Sequence, residues 1–119
     1  MCRVLVVDDD PSVVALCVFA LEFEGHQAVG FTDLPQALDA ARREHFDVLV
    51  ADVPTAGDAV LATEGETTAL PMLLIAEDSL QLLHILTTVV RTDVYGLAKP
   101  FDIGEFVDEV QRLAHARAA

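Results

Sequence analysis

The chain has 119 residues, of which 53% are apolar, and carries 7 basic against 20 acidic residues for a formal charge of −13. This length predicts one domain, residues 1–119, with a real core, and so apolar a composition excludes a disordered chain. So acidic a surface excludes nucleic-acid binding, whose affinity comes from Lys and Arg neutralising phosphates. The longest apolar run, Val13 to Leu21, is less than half of the roughly 20 residues that span a bilayer. Neither signal peptide nor membrane anchor fits the N-terminus, and a soluble, cytoplasmic protein is expected. Cys2 and Cys17 form no CxxC and no Cys/His cluster, and are expected to be reduced, buried thiols.

The chain opens on Val4-Leu5-Val6-Val7, a run that reads as a fully buried parallel strand, followed at once by Asp8-Asp9-Asp10-Pro11. The acids therefore lie at the strand's carboxyl end, the edge where open α/β sheets bind ligands. Concentrated carboxylates repel unless something positive joins them, and hard cations with oxygen ligands are the natural candidates. An Asp before Pro11 can cap a first helix running to about Glu24, which Gly25 stops. That helix has no polar residue from Val13 to Leu21. Only one stripe is needed against a sheet, so part of it should stay exposed for a partner.

A short second strand, His26 to Phe31, leads to a second helix from Leu34 to Glu44, capped by Thr32 or Asp33. A third buried strand, Asp47 to Ala51, ends on Asp52. The turn-forming Val53 to Asp58 then leaves space for two turns of a third helix at best, between about Asp58 and Glu64. Pro71 to Ala76 is the fourth strand. Ser79 is expected to cap the next helix, about Leu80 to Arg91, whose polar residues form one narrow stripe including His84 and leave apolar surface over. A fifth strand, Val94 to Ala98, ends on Lys99-Pro100-Phe101, and a last helix opens at Asp102 or Ile103. Strand and helix alternate five times, which predicts a doubly wound, five-stranded parallel sheet with helices on both faces. His26, His45, His84 and His115 are scattered and compel no metal or catalytic role.

These motifs, taken together and in order, resemble the receiver domain of two-component response regulators. They are Val-Val-Asp8-Asp9-Asp10-Pro11 after strand one, Phe-Asp-Val-Leu-Val-Ala-Asp52 at strand three, Leu70-Pro71 before strand four and Leu-Ala-Lys99-Pro100-Phe101 after strand five. The resemblance covers essentially the whole chain. It implies a flavodoxin-like sheet of order 2-1-3-4-5 with the third helix cut short. Asp52 would be the phosphoacceptor for a sensor histidine kinase or phosphotransfer protein. Asp8, Asp9, Asp52 and the backbone carbonyl of Pro54 would hold Mg²⁺, and Lys99 would contact the phosphoryl group across a cis bond to Pro100. Such a domain is a signalling phosphoacceptor, not an enzyme. It acts on a downstream protein target, with no contact to nucleic acid or membrane, and a homodimer through helix one or the helix four to helix five face is one use of the spare apolar surface.

Three positions depart from the family pattern. Ala76 stands where a Thr or Ser hydroxyl is expected, with Glu77 beside it. Pro54 has no N–H to offer a phosphoryl oxygen. Gly96 occupies the aromatic switch position, with Tyr95 next to it and directed to the other face. An alternative is therefore a pseudo-receiver, a docking or dimerisation module independent of phosphorylation. A haloacid dehalogenase-type hydrolase needs a longer chain, and flavin binding needs a phosphate loop this acidic rim lacks.

Overall fold

The structure, a computed structural model, describes residues 1–52, 70–88 and 93–118, the last three by their backbone. The short helix expected between 58 and 64, Pro54, and the stretch 89–91 lie outside the described residues. Five strands, β1 (Arg3–Val7), β2 (Gln27–Phe31), β3 (Val48–Asp52), β4 (Met72–Ala76) and β5 (Val94–Ala98), pair in parallel in the order β2-β1-β3-β4-β5. Four described helices accompany them: α1 (Pro11–Phe23), α2 (Leu34–Arg43), α3 (Ser79–Thr88) and α4 (Ile103–Ala118). The doubly wound class is the one expected from the alternation, and the strand order is the one the resemblance implies.

The helix boundaries follow from side-chain chemistry. Asp10, in extended backbone, caps α1 by accepting the Ser12 N–H at 2.9 Å, and Pro11 follows at the position that needs no amide hydrogen. At the other end Gly25 adopts φ +88°, and the amides of Gly25 and His26 close on the carbonyls of Glu22 and Leu21. That pair of bonds satisfies carbonyls the helix leaves open, and the left-handed turn between them favours glycine. Asp33, rather than Thr32, caps α2 through the Gln36 N–H at 2.9 Å. One expectation is overturned. Asp78, not Ser79, caps α3, its Oδ1 accepting from the amides of Leu80 and Gln81 at 2.9 and 3.2 Å, while Ser79 is already the first helical residue.

Strand alternation divides the core. Leu5, Val7, Leu49, Ala51, Leu74 and Ala76 face one layer, covered by α2 and α3 through Ala37, Ala40, Leu82 and Ile85. Val4, Val6, Val48, Val50, Leu73 and Ile75 face the other, covered by α1 and α4 through Cys17, Leu21, Phe106 and Val110. β1, β3 and β4 are buried on both faces, as their unbroken apolar runs require. Both cysteines are free and buried.

Candidate functional site

Register builds the site. Val6 pairs with Val50 and Val7 with Ala51, so the next residues along, Asp8 and Asp52, come side by side at the carboxyl edge of adjacent strands. By alternation both point to the face of Val6 and Val50, toward α1 and α4. Each is only 2% exposed, and they are the two buried charged residues among those described. Asp9 is exposed. Carboxylate oxygens of Asp8, Asp9 and Asp52 all lie within 4.8 Å of one another.

The cation that meets them comes from the far side of the sheet. The Lys99 amide donates to the Ala76 carbonyl at 2.7 Å, extending the β4–β5 pairing by one residue. Its Nζ then lies 3.3 Å from Asp8 Oδ2, and Asp8 Oδ1 accepts the Asp10 amide at 2.9 Å. The Lys99-Pro100 peptide is cis, and the Phe101 ring packs on Phe106 at 5.5 Å where the chain enters α4. Burial pushes the Asp8 carboxyl above the ordinary aspartate range, against the opposing pull of the Asp10 amide and the Lys99 ammonium. Among the described residues one ammonium faces Asp8, beside the carboxylates of Asp9 and Asp52.

The donor set fits a hard divalent cation. It is all carboxylate oxygen, with no His or Cys of the kind that selects zinc. Cys17, on the buried face of α1, is not among the clustered ligand atoms. Burial, helped by the Asp8 charge, pushes its thiol up to about 12.

The departures from the family pattern take physical form. Ala76 ends β4 beside Ala98, is buried, and has no side-chain group to donate a hydrogen bond. Gly96 faces α3. A Cβ placed on it would meet Leu86 Cδ1 at 2.8 Å and Leu82 Cδ1 at 2.9 Å, so two leucines fill the space a swinging ring would occupy. Tyr95 points to the other face, where the Arg112 guanidinium of α4 lies 4.6 Å from its ring. Sequence reasoning overlooked one polar cluster at the opposite edge. His26 Nδ1 accepts the Cys2 amide at 3.1 Å, and the Gln111 side-chain amide lies 2.9 Å from its Nε2. A histidine that caps a strand opening from a neighbouring strand leaves no local sequence signal.

A doubly wound sheet of order 2-1-3-4-5 with an acidic cluster at its carboxyl edge and a lysine facing it defines the flavodoxin-like class of fold. No protein-family model matches the chain. It is 35% identical over 115 residues to a probable transcriptional regulatory protein, TcrX, of Mycobacterium tuberculosis, a match covering 92% of this chain and 48% of that protein. The chain thus spans about half the length of the curated relative it matches. Among solved structures it superposes on the chemotaxis response regulator CheY4 of Vibrio cholerae with a TM-score of 0.79 and 26% identity, covering 95% of this chain and 98% of that one. It also superposes on the receiver domain of the Francisella response regulator 1452 with a TM-score of 0.82 and 22% identity, covering 98% of each. The chain therefore has the receiver fold of response regulators and is similar to them over nearly its whole length.

No helix among the described residues is long and apolar enough to cross a membrane.

Proposed function

We propose that this chain acts as a cytoplasmic receiver in a two-component phosphorelay, with Asp52 as the phosphoacceptor. The observation that carries this reading is the convergence of Asp8, Asp9 and Asp52 within 4.8 Å, with Lys99 reaching Asp8 at 3.3 Å. An Asp52 carboxylate oxygen attacks the phosphorus of a phosphohistidine on a sensor histidine kinase or phosphotransfer protein. The P–N bond breaks, its electron pair returns to the imidazole nitrogen, and an aspartyl phosphate remains. Asp8, Asp9 and Asp52, with the Pro54 carbonyl, are the groups to hold Mg²⁺, which when bound offsets the repulsion between an acidic pocket and a phosphoryl group. Lys99, a compact point charge partly open to solvent, is suited to a phosphoryl oxygen. Output passes to a protein target. The domain works as a signalling phosphoacceptor rather than an enzyme, and neither nucleic acid nor membrane has a part in it.

A second reading is favoured by the filled space beside Gly96 together with Ala76. In it the domain keeps the fold and the cation site but docks partners without phosphorylation. Intact mass after incubation with a small phosphoramidate and Mg²⁺ separates the two. A Mg²⁺-dependent phosphate adduct absent from Asp52→Asn supports the acceptor, and no adduct under conditions that label an ordinary receiver supports the docking module.

A further inference from the structure

The edge of the sheet opposite the carboxylates is tied by one histidine. His26 follows the turn that ends α1, its amide donating to the Leu21 carbonyl at 3.0 Å, and its ring reaches two further elements. Nδ1 accepts the Cys2 amide at 3.1 Å, just before β1, and lies 3.4 Å from Cys2 Sγ. Nε2 lies 2.9 Å from the side-chain amide of Gln111 on α4. A neutral imidazole carries one N–H. Nδ1 accepts from a backbone amide that can only donate, so the ring hydrogen sits on Nε2 and Gln111 turns its carbonyl oxygen to meet it. The ring thus joins the start of β1, the start of β2 and the later half of α4, and it does so only while neutral.

A second ring hydrogen has no place in this arrangement. At Nδ1 it would point at the Cys2 N–H, and two donors cannot share a bond. Cys2 Sγ is no substitute, because sulfur accepts weakly, and burial and then the Asp47 charge push the thiol up and keep it protonated. Burial likewise holds the ring below the ordinary histidine range. Room for a charged ring lies alongside. His26 borders a hollow of about 600 Å³ lined also by Asp47, Asp108, Arg112 and His115. Asp47 is engaged, its Oδ2 accepting the Arg3 amide at 2.8 Å and its Oδ1 facing His45 Nε2 at 3.2 Å. Asp108 stands one turn before Gln111 on the same side of α4 and attracts an imidazolium. Glu24 attracts the same charge and the amino-terminal group repels it, while Arg112 is drawn to Glu109 at 2.5 Å.

We propose that His26 is a proton-released tie: on taking up a proton in mildly acid solution its ring leaves the gap between Cys2 and Gln111, swings into the hollow toward Asp108, and frees the start of β1 and the later turns of α4 from each other. The strands stay paired, because the Gln27 amide still donates to the Cys2 carbonyl at 2.9 Å and neither group belongs to the ring. The acidic cluster has no part in this, since Asp8 and Asp52 lie at the other end of the same strands. The change falls on the last helix. From Gln111 onward it keeps its apolar contacts through Leu113 and Ala114 and loses its polar one. A histidine titrating near neutrality suits such a device, and it operates whether or not Asp52 accepts a phosphoryl group.

The test is a titration of the full ¹⁵N-labelled chain by nuclear magnetic resonance, from about pH 7.5 to 5. At the upper end the His26 ring should show the Nε2–H tautomer, and its midpoint should lie below the ordinary value of about 6.5. Through that midpoint the Cys2 amide and the Gln111 side-chain amide should shift together. Hydrogen-exchange protection, corrected for the intrinsic effect of pH, should fall about tenfold or more at Cys2 and along α4 from Gln111, with Leu5 and Val50 unchanged. His26→Gln offers the Cys2 amide an acceptor that takes up no proton, so its protection should stay flat. Asp108→Asn should lower the midpoint, while His45→Gln and His115→Ala should respond as wild type. The wild-type titration decides without any variant: an Nδ1–H tautomer at pH 7.5 overturns the proposal, as does a Cys2 amide that stays still while the ring titrates. A response that survives His26→Gln, or that His115→Ala abolishes, belongs to another group and overturns it. Equal loss of protection at Leu5 and Val50 is global unfolding and overturns it as well.

Discussion

Asp8 carries opposed demands: it is buried, which favours the neutral acid, yet a cation site requires the carboxylate. A bound divalent ion resolves the conflict, so Mg²⁺ should raise the thermal midpoint, by the equivalent of about 2.7 kcal/mol at a hundredfold excess over Kd. Asp8→Asn should abolish that rise, read by a melting curve with and without the ion. Ala76 poses the complementary question, because a donor to a charged phosphoryl oxygen contributes about 1.5–3 kcal/mol. Ala76→Thr should therefore raise the yield of the Asp52 adduct by about tenfold or more if the site is an acceptor, measured by intact mass. Its cost is about 1–3 kcal/mol of stability, since the position is buried. At the opposite edge, burial and then the N-terminal charge hold the His26 pKa below the ordinary histidine range, against the pull of Glu24. The folded state thus binds fewer protons than the unfolded one. The stability that neutral His26 contributes is present above about pH 6.5 and is lost as pH falls toward its lowered folded value. Urea midpoints at pH 7.5 and 5.5 should fall further for wild type than for His26→Gln.

At the scale of elements, the strands were the most legible part of the chain. Unbroken apolar runs such as Val4–Val7 and Met72–Ala76 have one physical use in a domain of this size, a strand covered on both faces. The acids of the site were legible for the same reason, because a strand that ends at a known residue sends its next side chain to a known edge. Caps were less so. Asp78 and Ser79 both cap helices well, and the choice turned on which oxygen reaches two amides at once. Close approach of helix to sheet was not legible at all. A Cβ on Gly30 of β2 would collide with Val14 Cγ1, so α1 sits flush on a strand with no side chain there. Gly30→Ala should cost about 1–3 kcal/mol because a β-branched neighbour has little freedom to yield, a loss that equilibrium urea unfolding measures. The exposed stripe of α1, Leu16, Phe19 and Phe23, was foreseeable as surplus, since nine apolar residues in a row exceed what one sheet face covers. Which of them face water is settled only by the packing of Cys17 and Leu21.

For the whole molecule, the site is a product of topology rather than of any segment. Its acids come from β1 and β3 and its lysine from beyond β5, so the ion pair of Asp8 and Lys99 joins residues 91 positions apart. It bridges the first strand to the last across β3 and β4. Contacts of such sequence separation carry the largest loop-closure entropy and form late. The pair is thus expected to fasten after the sheet has assembled. Lys99→Gln should speed unfolding while leaving the refolding rate nearly unchanged, the pattern of an interaction missing from the transition state. Stopped-flow unfolding and refolding limbs read both rates. Cation affinity and the lysine contact then report different stages of assembly: β1 and β3 alone bring the acids together, while the ammonium that faces Asp8 arrives only with the last strand.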